Sequence, residues 1–383
     1  MDAFYASVEV RDDPRLTGLP LIVGHRGPRG VVATCSYEAR RFGVRSAMPA
    51  VTAARLCPEA VWLASRMSRY LDVSTDIRRL LDELSPRVEP LSIDEAFVDL
   101  TGIAADLDAG MAIARRLKDR IRAEQRLGAS VGVAPNKFLA KVASDLEKPD
   151  GWTRISLAEV PARLWPLPVE RLWGVGPRTA QPLHRAGIDT VGAVLRVEEA
   201  HLATIVGQRM AAHLRALARG EDDRSVDPER EARSISEERT YGADLQDADA
   251  VDRELLARAE GVARQLRKDG LVARTVRLKI RTADYTTWIR AHTLGEPTDL
   301  AEPLLAAARE ILRARVPLRG RGVRLLGLGV SNLEPALSGQ ATLFEDAGTD
   351  RARRAARAAD RVRDKLGDHT LTRARLLKEP QTP

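Results

Sequence analysis

The spacing of apolar and polar positions changes several times in the N-terminal part of the chain, and each change marks a predicted element. Residues 1–10 alternate like the end of a strand, and "LPLIVGHRGPRGVVATC" contains two short apolar strands around a Gly/Pro turn. Apolar side chains recur at helical spacing in "SRYLDVSTDIRRLLDELS" and over residues 107–126. A strand pair surrounds "SIDEAFVDLTG", and "GASVGVAPNKFLAKVASDL" is a strand, a turn and a helix. This order predicts a ferredoxin-like α+β unit with helices on one face of an antiparallel sheet.

The pattern becomes helical with short loops from about residue 158. The segment "LWGVGPRTAQPLHRAGIDTVGAVL" predicts two helices joined by a Gly-X-Gly turn, and "LATIVGQRMAAHLRALARG" is a weaker copy of it. A charged, apolar-poor linker follows at 220–233. The second α+β block, residues 234–335, has predicted helices near 249–268 and 300–315 and predicted strands near 271–281 and 321–331. An Arg-rich helix is predicted in the tail at 350–366.

Composition narrows the class of protein. The 383 residues are too many for one compact core, so two to four domains are expected. The net charge of +7 and the isoelectric point of about 9.7 favour a polyanionic partner, nucleic acid first, although a solvated basic surface has the same composition. No apolar run reaches eighteen residues, which predicts neither a membrane-spanning helix nor a signal peptide. Cys35 and Cys57 are the only cysteines, so a reducing cytoplasm fits and any metal should be Mg²⁺ or Mn²⁺ held by carboxylates.

Asp94 and Glu95 are adjacent carboxylates inside the apolar, strand-like run "LSIDEAFVDL". A solvent-facing acidic pair is common, and neighbours on an unbent strand point to opposite faces. A half-buried acidic pair, however, is costly unless a cation compensates its charge. We therefore expect metal binding at this segment.

Two basic segments are candidates for phosphate binding. The first, "TCSYEARRFGVR", follows an apolar strand and contributes Tyr37, Arg40, Arg41 and Arg45. Arginine suits bidentate contacts with phosphate oxygens, but a solvated amphipathic helix explains this stretch equally well. The second, "NKFLAKVASDLEKPDG", contributes Lys137, Lys141 and Lys148. Lys148 also fits a helix end, where a cation complements the helix dipole.

Two further segments predict contact with a nucleic-acid backbone. The segment "GVGPR", from Gly174 through Gly176 to Arg178, lies at a helix–turn–helix bend, where backbone N–H groups at a helix N-terminus bind a phosphate. In "RTVRLKIRT", the cationic side chains Arg277, Lys279 and Arg281 alternate with apolar ones. On a strand this alternation gives one apolar face and one cationic face, which favours a surface that follows the phosphate backbone. Aromatic residues make up only 4% of the chain, so extensive base stacking is not expected.

Together these segments resemble a Y-family translesion DNA polymerase of the bacterial type. The motifs that carry the resemblance run in order from residue 1 to about 345: "MDAFYASVE", "YEARRFGVRSAMP", "SIDEAFVDLTG", "GVAPNKFLAKVASDLEKPDG", "GVGPRTA" and "SISEERT". The resemblance implies low-fidelity DNA synthesis across damaged templates without proofreading. It also implies an α+β polymerase right hand: palm (1–10 and 66–157), fingers (11–65), helix-hairpin-helix thumb (158–225), linker (226–233), α+β little finger (234–335) and tail (336–383).

The resemblance also implies roles for individual residues. Asp94 and Glu95 would hold two Mg²⁺ ions that activate the primer 3′-hydroxyl and stabilise the pyrophosphate leaving group. The triphosphate contacts would be Thr34, Tyr37, Arg40 and Lys148. Tyr5 would be the steric gate against a ribose 2′-OH, with Phe4 packed beside it. The partners would be primer–template DNA, deoxynucleoside triphosphates and a sliding clamp, and the protein would be a cytoplasmic monomer.

The family carries a third metal-ligand carboxylate, an Asp at the end of a short strand directly before the first motif, and the next residue, here Met1, supplies a backbone carbonyl. This sequence starts one residue after that Asp. On a strand, Asp2 would lie on the same face as that missing Asp. The Cα atoms of the two residues would be roughly 6–7 Å apart, which is too far for Asp2 to replace it as a ligand. Either the true start lies upstream, which we expect, or the chain is a catalytically inactive primer–template binder. An upstream, in-frame sequence of a hydrophobic residue, Val and Asp would distinguish these two possibilities. We call the chain that includes this sequence the extended form.

The tail segment "GQATLFEDAG" resembles a short sliding-clamp-binding motif, with Gln340, Leu343 and Phe344 as its anchors. Leu343 and Phe344 would fill an apolar pocket of the clamp while Gln340 makes a polar contact at its rim. The alternative is that the two apolar side chains fold back onto the little finger.

The acidic pair would also fit a palm-type nucleotide cyclase. The hairpin and the basic strand argue against this alternative, because they imply DNA binding.

Overall fold

The computed structural model describes residues 1–229, 232–336, 347–368 and 370–377, in two compact units, Met1–Arg230 and Glu231–Pro383. Each unit is described by itself. Within the described ranges, no helix is both long enough and apolar enough to span a membrane.

The chain opens with a helix, α1 (Phe4–Asp12), so the prediction of a strand over residues 1–10 was wrong. The buried side chains Phe4, Ala6 and Val8 alternate like those of a strand. They do so because α1 contacts β1, β2 and α4 from several sides, which hides the helical period. Ala3, before the first helical residue, has a left-handed backbone (φ 45°), which turns the chain sharply into the helix.

A small sheet with two short helices follows. Its elements are β1 (Leu21–Gly24), β2 (Val32–Cys35), α2 (Tyr37–Arg41), α3 (Ala50–Leu56) and β3 (Val61–Leu63). The strand order is β2-β1-β3, with β1 antiparallel to β2 and parallel to β3. Ser36 caps α2 by accepting a hydrogen bond from the Ala39 N–H at 3.4 Å, so the helix begins directly after β2. The strand–turn–strand–helix prediction for this segment is confirmed.

The next elements surround the acidic pair: α4 (Met67–Asp82), β4 (Val88–Pro90), β5 (Ala96–Val98), α5 (Leu107–Gln125), β6 (Val131–Val133), α6 (Lys137–Leu146) and β7 (Trp152–Arg154). The predicted helices over 68–85 and 107–126 are confirmed as α4 and α5. The strands form two separate pairs, antiparallel β4–β5 and parallel β6–β7, where one antiparallel sheet was predicted. The second pair is parallel because α6 carries the chain from β6 back to the start of β7.

The rest of the first unit is helical: α7 (Val160–Arg163), α8 (Pro177–Arg185), α9 (Val191–Arg196), α10 (Glu199–Val206) and α11 (Gln208–Ala218). These helices share one apolar core with Phe138 and Leu139 of α6. The segment before the Gly-X-Gly turn was predicted as a helix, but it is a single 3₁₀ turn at Val169–Arg171, followed by a turn. The predicted helix after the turn is confirmed as α8.

The second unit is a four-stranded antiparallel sheet with helices against one face. Its elements are β8 (Ser234–Leu245), α12 (Ala248–Lys268), β9 (Leu271–Thr282), β10 (Thr287–Thr298), α13 (Ala301–Arg315), β11 (Val323–Pro335) and α14 (Ala347–Leu366). The strand order is β10-β9-β11-β8. α12 and α13 bury their apolar stripes against the apolar face of β9 and β11. All predicted elements of this block and the Arg-rich tail helix are confirmed, and β8 and β10 are additional strands.

Candidate active site and nucleic-acid interface

The acidic pair lies at the turn of the β4–β5 hairpin. The backbone N–H groups of Leu91 and Ser92 donate to the Glu95 carbonyl at 2.9 and 3.2 Å, which closes the turn. Asp94 therefore lies in a bend and Glu95 directly before β5, so the pair is not inside a strand as expected. Both side chains are half-buried, as predicted, and the Ser92 hydroxyl donates to Asp94 Oδ1 at 2.8 Å. A bend frees the two carboxylates from the opposite-face rule of a straight strand.

The N-terminal residues reach this hairpin. The amino group of Met1 donates to the Asp94 carbonyl at 2.8 Å and lies 3.9 Å from Asp94 Oδ2. Asp2 is buried, and it accepts hydrogen bonds from the Ser130 hydroxyl and the Asp150 N–H, each at 2.8 Å. The expectation that Asp2 shares a strand face with the metal ligands was wrong, because residues 4–12 are helical and Asp2 joins the start of α1 to two loops.

Lysine side chains lie on the other side of the acidic pair. Lys141 Nζ lies 2.6 Å from Glu95 Oε1 and 3.6 Å from Asp145, and Lys148 Nζ lies 2.7 Å from Asp145. Burial alone would raise the pKa of Asp145, but the hydrogen bond from Lys148 and the charges of both lysines outweigh it and lower this pKa. Asp94, Glu95, Lys141 and Lys148 line one cavity of about 710 Å³. The site thus combines two carboxylates with two lysine ammonium groups around one cavity.

Lys137, the third lysine of that segment, is not available to a ligand. It is buried against Glu89 in a short ion pair and donates to the Ser225 carbonyl at 3.0 Å. Lys137 therefore links α6 to β4 and to the segment before the linker, which is a role in the fold. Lys141 was predicted only as a candidate for phosphate binding, and Asp145 was not predicted, although its i, i+4 spacing from Lys141 on a helix is a visible signal.

Tyr5 projects from α1 next to the acidic pair. Its ring stacks on the buried ring of Tyr70, with centroids 4.3 Å apart and an interplanar angle of 6°. The Phe4 ring is tilted against it at 5.9 Å. Tyr70 is held in turn, because its hydroxyl donates to Glu9 Oε1 at 2.5 Å. Burial first, and the charge of Asp94 second, raise the pKa of Tyr5. The stack on Tyr70 and the contact with Phe4 set the position of the Tyr5 ring.

Thr34, Tyr37 and Arg40 lie at the end of β2 and in the first turns of α2. Thr34 is buried, and the Arg40 guanidinium stacks over the Tyr37 ring, 4.5 Å from its centroid. Within the described part of the chain, the Tyr37 hydroxyl is buried without a hydrogen-bond partner. Burial, followed by the charge of Asp2, raises the pKa of Tyr37. A buried hydroxyl without a partner is uncommon, and a bound ligand would supply one.

The Gly-X-Gly turn presents its backbone to solvent. Gly174 has φ 98°, which favours glycine, and Gly176 immediately precedes Pro177, the first residue of α8. Gly174, Gly176 and Arg178 are all exposed. An exposed N–H at the start of α8 can donate to a phosphate, because the first turn of a helix leaves its N–H groups without intrahelical acceptors.

His184 fastens the last turn of α8 to the loops on both sides. Its ring nitrogens lie 2.7 Å from Glu170 Oε1 and 2.7 Å from Asp189 Oδ1. These two hydrogen bonds raise the pKa of His184 above its ordinary value of 6.5. The added stability is therefore complete below pH 6.5 and is lost as pH rises through the raised pKa.

We expect the thermal unfolding midpoint of the native protein to exceed that of His184→Gln more at about pH 6 than at about pH 9. The measurement is paired melting curves of the two proteins at both pH values. An equal difference between the two midpoints at both pH values would contradict a protonation-dependent contact. Gln keeps a polar side chain of similar length, so a loss of packing alone would not depend on pH.

The basic strand has the predicted two faces. On β9, Val276, Leu278 and Ile280 are buried, while Arg277 is exposed and Lys279 and Arg281 are half-buried on the face opposite the helices. The residues of β11 directly opposite Lys279 and Arg277 are Gly327 and Gly329. A Cβ at either glycine would come within 2.9 Å of a β8 side chain, so the side chains of Glu238 and Ser236 occupy the space above these glycines. Lys279 pairs with Glu238 of β8 at 2.7 Å, which moderates the positive charge.

The predicted clamp-binding residues Gln340, Leu343 and Phe344 lie outside the described residues. The described residues also contain no group of three or more His, Cys, Asp or Glu side chains arranged to hold a metal ion. The pair of Asp94 and Glu95 nevertheless fits a hard cation. Mg²⁺ binds through one or two carboxylates while keeping water and substrate phosphates as its other ligands.

Three family models match the chain. The impB/mucB/samB family model covers residues 1–145, the C-terminal domain model of the same family covers residues 232–343, and the helix-hairpin-helix motif model of that family covers residues 158–188. The matched regions contain the acidic pair, the basic strand and the Gly-X-Gly turn.

Individual relatives extend over most of the chain. A DNA polymerase IV of Streptomyces coelicolor is 46% identical over 92% of this chain and 73% of its own length. A DNA polymerase IV of Caulobacter vibrioides is 42% identical over 98% of this chain and 93% of its own. Among solved structures, a Dbh–Dpo4 Y-family DNA polymerase chimera matches with a TM-score of 0.77 and 27% identity, over 86% of this chain and 96% of its own. An insertion ternary complex of Dbh DNA polymerase covers the same shares of the two chains at 27% identity with a TM-score of 0.63.

Proposed function

Because this chain belongs to the impB/mucB/samB family of Y-family DNA polymerases, it is a translesion DNA-directed DNA polymerase, and we propose that Asp94 and Glu95 form its catalytic centre. The observation that carries the proposal is the half-buried pair at the β4–β5 turn, which faces a cavity that also holds Lys141 and Lys148. The alternative of an inactive primer–template binder finds no support among the relatives, which are named as polymerases.

The family depends on metal ions, and we propose two Mg²⁺ ions per site, held by Asp94 and Glu95 together with the triphosphate. When bound, Mg²⁺ lowers the pKa of the attacking 3′-hydroxyl and neutralises the charge that develops on the pyrophosphate. Lys141 Nζ lies 2.6 Å from Glu95 Oε1 and offsets its charge. Lys141 and Lys148 line the same cavity, so both ammonium groups would offset the charge of a triphosphate bound there.

The nucleotide is bound, in this proposal, by Tyr37, Arg40, Thr34 and Lys148, with Tyr5 against the sugar and Phe4 behind it. The stacked guanidinium of Arg40 is suited to a phosphate, and the Tyr37 hydroxyl has no partner within the described ranges and can donate to one. Tyr5 is suited to a steric gate because its stack on Tyr70 prevents the ring from turning away from an incoming 2′-hydroxyl.

DNA would be bound through its backbone by both units. The turn of Gly174, Gly176 and Arg178 presents exposed donors at the start of α8, and Arg277, Lys279 and Arg281 present cations on an open sheet face. Neither feature reads base edges, which suits an enzyme that copies any template. A monomeric state and a cytoplasmic location stay predictions.

Binding to a sliding clamp is proposed from the sequence of the tail alone. If Leu343 and Phe344 anchor the clamp, a Leu343→Ala/Phe344→Ala variant should lose clamp-stimulated synthesis and keep its clamp-independent extension and its melting temperature. The measurement compares extension of a long primed template with and without the clamp. A lower melting temperature with unchanged clamp stimulation would show instead that these side chains belong to the fold.

Primer extension tests the proposed function. With a primed template, four deoxynucleotides and Mg²⁺, the protein should add nucleotides distributively, continue past a damaged template base, and stop when a chelator removes the cation. Both the 383-residue chain and the extended form should be assayed, so that the expectation of a third carboxylate is tested in parallel. Failure of both forms to extend the primer under any divalent cation would contradict the proposal.

A further inference from the structure

Helix α14 of the second unit sorts its charged side chains onto two faces. On the inner face, Asp360 pairs with Arg267 at 2.6 Å and Asp364 pairs with Arg264 at 2.8 Å, both on α12. Another inner contact joins Arg353 of α14 to Asp299, at the start of α13, at 3.1 Å. These ion pairs hold α14 against α12 and the start of α13, and they neutralise Arg264 and Arg267.

The outer face of α14 is a row of cations, which we call the outer stripe: Arg351, Arg354, Arg357, Arg361 and Lys365. All five are exposed, and Arg354 pairs with Asp350 at 3.2 Å. The other four have no ion pair or side-chain hydrogen bond within the described part of the chain. Steps of three and four residues keep the five on one side of the helix, over a length of about 21 Å.

A solvated basic helix is the simple explanation of such a row, but the arrangement argues for a ligand. Like charges three and four residues apart destabilise a helix, and α14 has acids that could have been interleaved with its arginines. Asp360 and Asp364 face α12 instead, so the outer stripe keeps its positive charge. The exposed residues between the cations are Ala355, Ala358, Val362 and Asp364, which pairs with Arg264, and none of them is an aromatic side chain that could anchor a protein partner.

The position of the outer stripe separates it from the basic strand. α12 lies against one face of the sheet and α14 pairs with α12, while Arg277 and Lys279 are on the opposite, open face. The sheet therefore lies between the two cationic surfaces. Because they lie on opposite sides of the sheet, a short, straight duplex cannot contact both, and only longer DNA that bends around the unit can.

We propose that the outer stripe binds the phosphate backbone of DNA beyond the primer–template stretch that the basic strand contacts. The inference rests on the proposed function, because it takes the same polymer as its ligand. Arginine forks match phosphate oxygens, and the stripe offers no amide side chain for reading bases, so the contact is independent of sequence. Its effect is to hold the enzyme on long DNA between rounds of distributive synthesis.

The test measures DNA affinity against salt concentration for two DNA lengths. The variant Arg351→Gln/Arg357→Gln/Arg361→Gln/Lys365→Gln removes the unpaired cations and keeps good helix-forming residues. On a primer–template of about 60 base pairs, the slope of log affinity against log salt should fall by about 2 to 4, and Kd at moderate salt should rise about tenfold or more. On one of about 14 base pairs, roughly 48 Å long, both should stay as in the native protein.

Three controls make the result decisive. The matched variant Arg351→Lys/Arg357→Lys/Arg361→Lys keeps the charge and should keep most of the affinity for long DNA. Arg277→Gln/Lys279→Gln should weaken binding at both lengths, because those side chains contact the primer–template itself. If the fourfold variant melts lower than the native protein, Arg357→Gln/Arg361→Gln should give about half the change in slope.

An unchanged slope on long DNA for a folded variant would overturn the inference, and would leave the stripe as a solvated surface or one for an acidic protein. A native protein that does not bind even the short primer–template would instead contradict the proposed function. The two failures are thus distinguishable in one set of titrations.

Discussion

Replacing either carboxylate of the β4–β5 turn is expected to abolish DNA synthesis. Asp94→Asn and Glu95→Gln each keep the shape of the side chain and remove one oxygen ligand with its charge, so nucleotide addition should fall roughly 10³-fold or more. The measurement is single-turnover incorporation in a form of the protein that extends primers. Asp119→Asn, an exposed carboxylate on α5, is the matched control and should keep full activity.

Folding should be little affected by these two changes. Asp94 and Glu95 are adjacent like charges, so neutralising one relieves repulsion, and the Glu95–Lys141 pair is about one third exposed and worth at most about 1 kcal/mol. Melting temperature and primer–template affinity should therefore stay close to those of the native protein. A variant that keeps its activity would contradict the assignment of the catalytic centre. A variant that loses activity only because it unfolds would leave the pair with a structural role.

Tyr5→Ala is expected to raise the incorporation of ribonucleotides relative to deoxynucleotides about 10²-fold or more. A 2′-hydroxyl that clashes with the ring in the native protein would meet open space, and a steric clash of a few kcal/mol corresponds to that factor. Truncating a half-buried ring that stacks on Tyr70 also costs stability, about 1–3 kcal/mol. The ratio of the two rates, measured in the same protein sample, does not depend on how much of the sample is folded.

Tyr5→Phe is the matched control for sugar selection. It keeps the ring, its stack on Tyr70 and its contact with Phe4, so the ribonucleotide-to-deoxynucleotide ratio should remain as in the native protein. If Tyr5→Ala lowers the melting temperature but leaves the ratio unchanged, Tyr5 is only a core residue. If Tyr5→Phe raises the ratio as much as Tyr5→Ala does, the hydroxyl selects the sugar by a polar contact.

The two faces of the basic strand were predictable from sequence, because only one orientation of an alternating strand buries its apolar side chains. The apolar residues Val276, Leu278 and Ile280 must face α12 and α13, which leaves their cationic neighbours on the open side.

The strands β8 and β10 were not predicted, because their sequences carry no such alternation. Both are outer strands with one exposed face and few buried residues, and their charged, polar sequences lack the apolar alternation that marks a strand.

The start of the chain shows how tertiary contacts override a local pattern. Phe4, Ala6 and Val8 alternate with less buried residues and indicated a strand, but α1 is enclosed on several sides and needs no single apolar stripe.

In the candidate site, the residues that lie in sequence motifs were predictable. The pairing of Lys141 with Glu95 was missed because it depends on the approach of α6 to the β4–β5 turn, whereas the i, i+4 spacing of Lys141 and Asp145 shows only that they share a helix face.

Counting bound Mn²⁺ by electron paramagnetic resonance, with primer–template and a non-hydrolysable deoxynucleotide present, tests the central claim most directly. Mn²⁺ replaces Mg²⁺ at carboxylate oxygen sites and is directly visible. In a form of the protein that extends primers, two ions should bind per molecule, and Asp94→Asn/Glu95→Gln should bind fewer than one with its DNA affinity unchanged. The same number of tightly bound ions in that variant and in the native protein would contradict the placement of the catalytic metal site at Asp94 and Glu95.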